Sequence, residues 1–204
     1  TVTHSNNIYS YLGYCSNKQN KFKSVDLQDF KDKIKPGYSN AKFSNMANFY
    51  TSLIIAKEGS ADIVYFVEDD YLHSEDAITE MIFAYEKFNT IFSNDLVLLP
   101  SDYPYLYAKD EVTKIYLGEK YHWRLVSESL VTFMTSKKVI EENFNNLEKM
   151  GIEWIDPWEK PLHDIYKSNP CLSPVPSLAV HCANINSVFG VSPFVDLKKL
   201  WEKN

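Results

Sequence analysis

The sequence predicts an α/β protein whose mostly parallel central sheet is flanked by helices, with a smaller antiparallel patch in the second half. The first observation is an alternation in which residues 44–58 and 74–89 have helical periodicity, and apolar runs at 62–67 and 95–100 follow them in turn. Continuous apolar runs of this length are typical of strands buried on both faces, as in parallel sheets. The second observation is a series of short, closely spaced strand-like segments in the second half.

Helix signals in the first half place the elements around these strands. Residues 21–35 have apolar residues near helical spacing and precede Pro36, so we expect a helix there. Ser44 is the expected N-cap of the next helix and Gly59 its end, and Ser74 is the expected N-cap of the helix after that. Residues 8–16 fit either a helix or a strand.

The antiparallel patch is expected from three short segments joined by brief turns. They lie at residues 112–117, 121–126 and 129–136. The remaining expected elements are a helix over 137–150 that ends at Gly151, a strand within 173–182, and a closing amphipathic helix over 195–203.

Composition narrows the classes of partner. The 204 residues carry a net charge of −6, and Arg124 is the only arginine, so nucleic acid is not an expected partner. We expect no membrane span, because no apolar run approaches the length that a membrane helix needs. Three widely spaced cysteines without a C-x-x-C pair, and no visible leader, favour a single cytoplasmic domain over residues 1–204.

Three consecutive carboxylates follow the predicted strand at 62–67, namely Glu68, Asp69 and Asp70. Like charges this close repel one another unless a cation neutralises them, and Mg²⁺ and Mn²⁺ prefer oxygen ligands. Ligands of open α/β sheets bind at the carboxyl ends of the strands. We therefore expect a site for a divalent cation or a polar ligand here. The alternative is an ordinary acidic loop.

The stretch FSNMANFYTSLIIAKEGSADIVYFVEDDYLH, residues 43–73, resembles the centre of GT-A-fold nucleotide-sugar glycosyltransferases. Its VYFVEDD segment is similar to the E-D-D form of the acidic motif in enzymes related to N-acetylglucosaminyltransferase I. The resemblance implies a Rossmann-like GT-A sheet, with a nucleotide-sugar-binding half at 1–100 and an acceptor-binding half at 101–204. It also implies that Asp70 binds the metal ion and that Glu68 and Asp69 contact the donor.

Two asparagines and the arginine are further candidates for donor binding. Asn45 and Asn48 lie near the expected helix start, where they would hydrogen-bond the nucleotide or the sugar, with helix capping as the alternative. Arg124, inside a predicted strand, would contact a phosphate or an acceptor carboxylate. A structural ion pair is the alternative for Arg124.

The segment GIEWIDPWEKP, residues 151–161, resembles the W-D-x-W stretch that supplies the catalytic base in the same group of enzymes. By that resemblance Asp156 accepts the proton of the acceptor hydroxyl, and Trp154 and Trp158 offer flat faces to sugar rings. A proline-rich turn with core tryptophans is the alternative. The rival bases are Glu159 and Asp164.

The segment PSLAVHC, residues 176–182, is similar to a P-S-L-x-x-H strand near the end of several GT-A enzymes. The resemblance implies that His181 is a metal ligand or a diphosphate contact, and a structural histidine is the alternative. Segment 101–107 follows the second apolar strand, so it is expected on the same side as the triplet. Its candidate acceptor contacts are Asp102, Tyr103 and Tyr105.

Together these features predict a metal-dependent glycosyltransferase that uses Mn²⁺ or Mg²⁺. It would transfer a sugar from a nucleotide-sugar donor, with a UDP-sugar favoured, to a hydroxyl of a glycan acceptor, and inversion is expected at the anomeric carbon. One alternative is a non-catalytic carbohydrate-binding module with a structural cation. The other alternative is a metal-dependent phosphohydrolase.

Overall fold

The computed structural model describes most of the chain, and its described residues fall into two compact units. The described ranges are 10–16, 19–59, 61–108, 110–184 and 194–203, and side chains are described from residue 26 onward except at 184. The first unit comprises residues 1–60 and 140–162, and the second comprises residues 61–139 and 163–204.

The first unit begins with a hairpin of two antiparallel strands, β1 (Ser10–Ser16) and β2 (Gln19–Val25). A 3₁₀ turn at Leu27–Phe30 follows, and the carboxylate of Asp26 caps it by accepting a hydrogen bond from the Gln28 amide at 2.9 Å. The helix expected over 21–35 is therefore wrong. Pairing with β1, which is not readable from local spacing, makes the first part of that segment a strand.

Helix α1 (Asn40–Glu58) is the longest element of the first unit. It begins four residues before the expected cap, because Ser39 accepts a hydrogen bond from the Lys42 amide while Ser44 is buried within the helix. Its expected end is confirmed at Gly59, whose amide donates to the Ile55 carbonyl at 2.9 Å.

The single helix expected over 137–150 is two helices, α3 (Lys137–Glu142) and α4 (Phe144–Ile152). Gly151 lies inside α4 and not after its end. It permits close packing of α4 on α1, since a Cβ at this position would lie 2.7 Å from Cβ of Tyr50. A short helix, α5 (Lys160–Ile165), follows.

The second unit contains two sheets among its described residues. Its elements in chain order are β3 (Ile63–Phe66), β4 (Tyr71–His73), α2 (Ala77–Phe92), β5 (Val97–Leu98), β6 (Ile115–Leu117), β7 (His122–Val126), β8 (Phe133–Ser136), β9 (Cys171–Val175), β10 (Ala179–His181) and α6 (Leu197–Lys203). Within the described residues none of the helices is long and apolar enough to cross a membrane.

The main sheet of the described chain has the strand order β3-β8-β5-β9-β7-β6. Only β5 and β9 pair in parallel, and the other neighbouring strands are antiparallel. The protein is thus mixed α/β, and the expectation of a mostly parallel sheet is wrong. The reason is that β8 runs between β3 and β5, which point the same way but are not neighbours. Apolar content does not reveal this insertion, because β3 has a continuous apolar run although it is an edge strand in which Ile63, Val64 and Tyr65 are half-buried.

Helix α2 covers one face of this sheet and forms its core. Buried residues at helical spacing on α2 pack with buried residues of the strands, and the cluster includes Met81, Phe88, Leu98, Trp123 and Leu172. The helix starts three residues after Ser74, with Asp76 as its N-cap residue. The Ser74 hydroxyl instead donates to the Asp76 carboxylate at 3.0 Å.

One buried carboxylate of α2 fixes the turn between β6 and β7. Glu80, which is 1% exposed, accepts hydrogen bonds from the amides of Glu119 and Lys120, both at 3.1 Å, and from Nε1 of Trp123 at 3.2 Å. Gly118 is required at the turn, since a Cβ there would lie 2.4 Å from Glu80 Oε1.

The second sheet consists of β4 and β10, which pair antiparallel with His73 opposite Ala179 and Tyr71 opposite His181. The acidic triplet lies between β3 and β4, so this small sheet determines what faces the triplet.

Candidate functional site

Glu68, the first carboxylate of the triplet, is anchored to the protein. Its amide donates to Oγ1 of Thr132 at 3.0 Å, and that hydroxyl donates to Oε2 of Glu68 at 3.4 Å. Thr132 is fully buried. Next to this contact, the Phe66 ring of β3 stacks on the Phe133 ring of β8 with 4.7 Å between centroids. The chain direction at the end of β3 is therefore fixed by packing and hydrogen bonding together.

Asp70 and His181 come into direct contact. Oδ2 of Asp70 lies 2.8 Å from Nε2 of His181, and the Cys182 amide donates to the Asp70 carbonyl, also at 2.8 Å. The Asp70 side chain is 42% exposed, so solvent and solutes reach this pair. Burial and the negative charge of Asp70 raise the pKa of the Cys182 thiol. Two residues far apart in the sequence thus form one polar pair at the end of β4 and β10.

Tyr71 lies directly beneath this pair. Its ring stacks on the His181 ring with 4.8 Å between centroids and 20° between planes, and its hydroxyl is 2.7 Å from that of the buried Tyr103. Burial raises the pKa of Tyr71 far above its usual range, and hydrogen bonds to Tyr103 and Thr132 only partly oppose this shift. The Tyr71 phenol therefore stays neutral, and it links the triplet to segment 101–107.

Asp69, between the two anchored carboxylates, is exposed to solvent. An exposed carboxylate beside Asp70 is available to a polar ligand. The predicted donor contact at Asp69 stays a prediction.

Arg124 forms a buried ion pair with Asp102. Nε and Nη2 of Arg124 donate to Oδ1 of Asp102 at 3.1 and 2.9 Å, and the Tyr107 hydroxyl donates to Oδ2 at 2.5 Å. The Tyr107 ring covers the guanidinium, with 4.5 Å from its centroid to Cζ of Arg124. This arrangement favours the ion-pair interpretation of Arg124. It also shows that Asp102, with no exposed side chain, supports the loop from within.

The predicted asparagines lie in the first unit, on α1. Because α1 begins at Asn40, Asn45 and Asn48 lie inside the helix and not at its N-terminus. The Asn45 side chain is exposed, and that of Asn48 is half-buried. The two asparagines are therefore not next to the free amide groups of the helix N-terminus. Those amides were the physical reason to expect phosphate binding there.

Asp156 also lies in the first unit, exposed in the segment between α4 and α5. The neighbouring tryptophans are used in packing. Trp158 is buried and donates from Nε1 to the Met150 carbonyl at 2.9 Å, and its ring stacks on Trp154 at 5.0 Å. The Lys42 ammonium lies 4.4 Å from the Trp154 ring centroid. These contacts favour a structural role for both rings.

Of the rival bases, Asp164 accepts a hydrogen bond from Lys167 at 2.7 Å, and Glu159 is half-buried. These surroundings do not decide between the three carboxylates, and the choice of Asp156 as the base stays a prediction.

Within the described residues, no cluster of three or more His, Cys, Asp or Glu side chains is arranged to hold a metal ion. Any ion at this site would have the pair Asp70 and His181 as its protein ligands. The remaining coordination positions would belong to substrate and water.

No protein-family model matches the chain, and no curated protein matches it.

Two contributors to this site were not predicted from the sequence. Thr132 and Tyr71 occupy strand-like segments where a threonine and a tyrosine are ordinary residues. Only the pairing of β3 with β8 brings Thr132 to the triplet, and only the pairing of β4 with β10 brings the Tyr71 ring to His181. For Tyr71 the one available signal is its position immediately after Asp70.

Proposed function

We propose that the protein is a metal-dependent glycosyltransferase. It transfers a sugar from a nucleotide-sugar donor, with a UDP-sugar favoured, to a hydroxyl of a glycan acceptor. The observation that carries the proposal is the contact between Asp70 and His181 at the solvent-accessible end of β4. A cytoplasmic location is part of the same proposal.

The chemistry of the pair fits Mn²⁺ or Mg²⁺. A carboxylate oxygen and an imidazole nitrogen are both ligands of Mn²⁺. Two neighbouring ligands that each lie about 2.1 Å from an octahedral ion are about 3.0 Å apart, and Oδ2 of Asp70 is 2.8 Å from Nε2 of His181. The separation of the two atoms is therefore close to that of neighbouring ligands of one ion. Two protein ligands leave positions for diphosphate oxygens and water, as is usual where Mg²⁺ binds a nucleotide.

The residues of the triplet would then have separate tasks. When bound, the metal ion stabilises the negative charge that develops on the leaving diphosphate. Asp70 and His181 hold that ion, and Asp69 is exposed for contact with the ribose or the sugar hydroxyls. Glu68 contributes to donor binding through a carboxylate oriented by Thr132.

Asp156 is proposed as the base that accepts the proton of the acceptor hydroxyl, which implies inversion at the anomeric carbon. Its support is the resemblance of its segment together with its solvent-exposed carboxylate. Asp156→Asn should lower the transfer rate by about 10²–10⁴-fold while nucleotide binding stays unchanged.

The decisive experiment measures nucleoside diphosphate binding by isothermal titration calorimetry, with and without Mn²⁺. We expect binding that requires Mn²⁺ in the wild type and is lost in Asp70→Asn. The matched control is Asp62→Asn, which changes an exposed aspartate immediately before β3 and should bind like the wild type.

Other results would overturn the proposal. Binding of saccharides without any nucleotide would favour a carbohydrate-binding module, and hydrolysis of phosphate esters would favour a phosphohydrolase. No nucleotide binding at any Mn²⁺ concentration would exclude the glycosyltransferase.

A further inference from the structure

We infer that Tyr71 is a positioning residue that holds His181 in the orientation needed for metal binding. This inference deepens the proposed function and rests on it for the identity of the ion. The evidence is a set of contacts that converge on one side chain.

The first contact is between rings. Tyr71 and His181 are directly paired in β4 and β10, and their rings are nearly parallel with 4.8 Å between centroids. Stacking of this kind restricts rotation of the imidazole about its side-chain bonds. Nε2 consequently stays directed toward Oδ2 of Asp70, 2.8 Å away.

The second contact fixes Tyr71 itself. Its hydroxyl is 2.7 Å from the hydroxyl of Tyr103, which is 1% exposed. A side chain held at its tip by a buried hydroxyl is a rigid support for the ring stacked on it.

A second tyrosine–histidine pair, Tyr65 and His73, offers a control for Tyr71. On β3, the Tyr65 hydroxyl lies 2.6 Å from Nε2 of His73, and the two rings meet edge to face at 5.8 Å. This is a second tyrosine–histidine contact in the same unit, and the centroid of the His73 ring lies 6.5 Å from that of Tyr71. Tyr65 therefore controls for the general loss of a partly buried tyrosine.

The experiment compares Tyr71→Leu, Tyr71→Phe and Tyr65→Leu by Mn²⁺ titration of the purified protein. Outer-shell substitutions at metal sites typically weaken metal binding by about 10–100-fold, and we expect a loss of this size for Tyr71→Leu. Tyr71→Phe keeps the ring but lacks the hydroxyl that fixes it, so its Mn²⁺ affinity should lie between those of the wild type and Tyr71→Leu. Tyr65→Leu should bind Mn²⁺ like the wild type. Should Tyr71→Leu not fold, Tyr71→Met fills a similar volume without a ring.

A second readout does not depend on the metal. The Cys182 amide, which donates to the Asp70 carbonyl, should exchange with deuterium at least about 10-fold faster in metal-free Tyr71→Leu. Its exchange should be unchanged in Tyr65→Leu. Peptide-level mass spectrometry of residues 178–183 measures this exchange.

The outcomes separate the inference from the proposed function. Unchanged Mn²⁺ affinity in folded Tyr71→Leu, or an equal loss in Tyr65→Leu, overturns the positioning role. If the wild type binds no Mn²⁺, the proposed function fails and exchange at Cys182 decides the positioning role alone. Faster exchange only in the Tyr71 variant supports it, and equal exchange overturns it.

Discussion

Replacement of Glu80 by alanine tests how strongly one buried carboxylate holds the second unit together. Glu80 lies on α2 and accepts three hydrogen bonds, from the Glu119 and Lys120 amides and from the Trp123 indole. It is 1% exposed. The variant leaves three donors around a small cavity.

The expected cost follows from these contacts. A hydrogen bond to a charged group contributes about 1.5–3 kcal/mol, and an orphaned buried donor costs about 1–3 kcal/mol. The contributions are not additive, because the carboxylate also loses its own desolvation cost when it is removed. We therefore expect Glu80→Ala to lower the free energy of unfolding by about 3–5 kcal/mol.

The assay is urea denaturation followed by circular dichroism, which avoids a direct effect of the substitution on Trp123 fluorescence. Glu86→Ala is the matched control, since Glu86 is an exposed glutamate on the same helix. That control should change the free energy of unfolding by at most about 0.5 kcal/mol. Equal denaturation midpoints for the two variants would refute the assigned role of Glu80.

Three further predictions concern stability. Asp102→Asn should lower the free energy of unfolding by about 3–5 kcal/mol, because Arg124 is left charged and buried. Asp164→Asn, which changes an exposed pair with Lys167, should lower it by at most about 1 kcal/mol. Thermal unfolding compares the two variants, and similar losses of stability would contradict the role given to burial. Gly151→Ala should lower the free energy of unfolding by about 1–3 kcal/mol, because the new methyl group would lie 2.7 Å from Cβ of Tyr50. An unchanged or raised melting temperature would show that α1 and α4 readily move apart. Burial opposes ionisation of Asp95, but hydrogen bonds from Lys138, Ser136 and Tyr85 outweigh it and hold the pKa of Asp95 below its usual value. The stability from ionised Asp95 is therefore present above the unfolded-state pKa of about 3.9 and is lost as the pH falls through the lower folded-state value. Urea titrations at pH 2 to 6 should show a weaker pH dependence for Asp95→Asn, and equal slopes would argue against this coupling.

The sequence predicted which segments become helices better than it predicted where they begin. The periodicities behind α1 and α2 are local, so both helices were found. Their first residues were wrong because several polar residues precede each helix. Ser39 and Asp76 are the observed N-cap residues instead of Ser44 and Ser74.

For the main sheet, the sequence predicted the strands better than it predicted which strands pair. The antiparallel patch expected from residues 112–117, 121–126 and 129–136 is found in the pairing of β6 with β7, but β8 pairs with β3 and β5 instead. Val97 pairs with Thr135 on one side and with Cys171 on the other. Neither partner is close in the sequence, and pairing depends on long-range packing that periodicity does not contain.

In the candidate site, some residues were predicted from the sequence and others were not. The acidic triplet after an apolar strand was visible in the sequence, as was His181 through the resemblance of its segment. Thr132 and Tyr71, which orient these residues in the structure, carried no functional signal of their own.

The sequence by itself determined helices α1 and α2, the strands of the main sheet and the clustering of three carboxylates after β3, because each of these depends on neighbouring residues. Tertiary structure decided the antiparallel order of the sheet and the contact of Asp70 with His181. It also decided that Arg124 faces Asp102 in a buried pair. These features join residues that are distant along the chain, and only packing of the whole unit selects their partners.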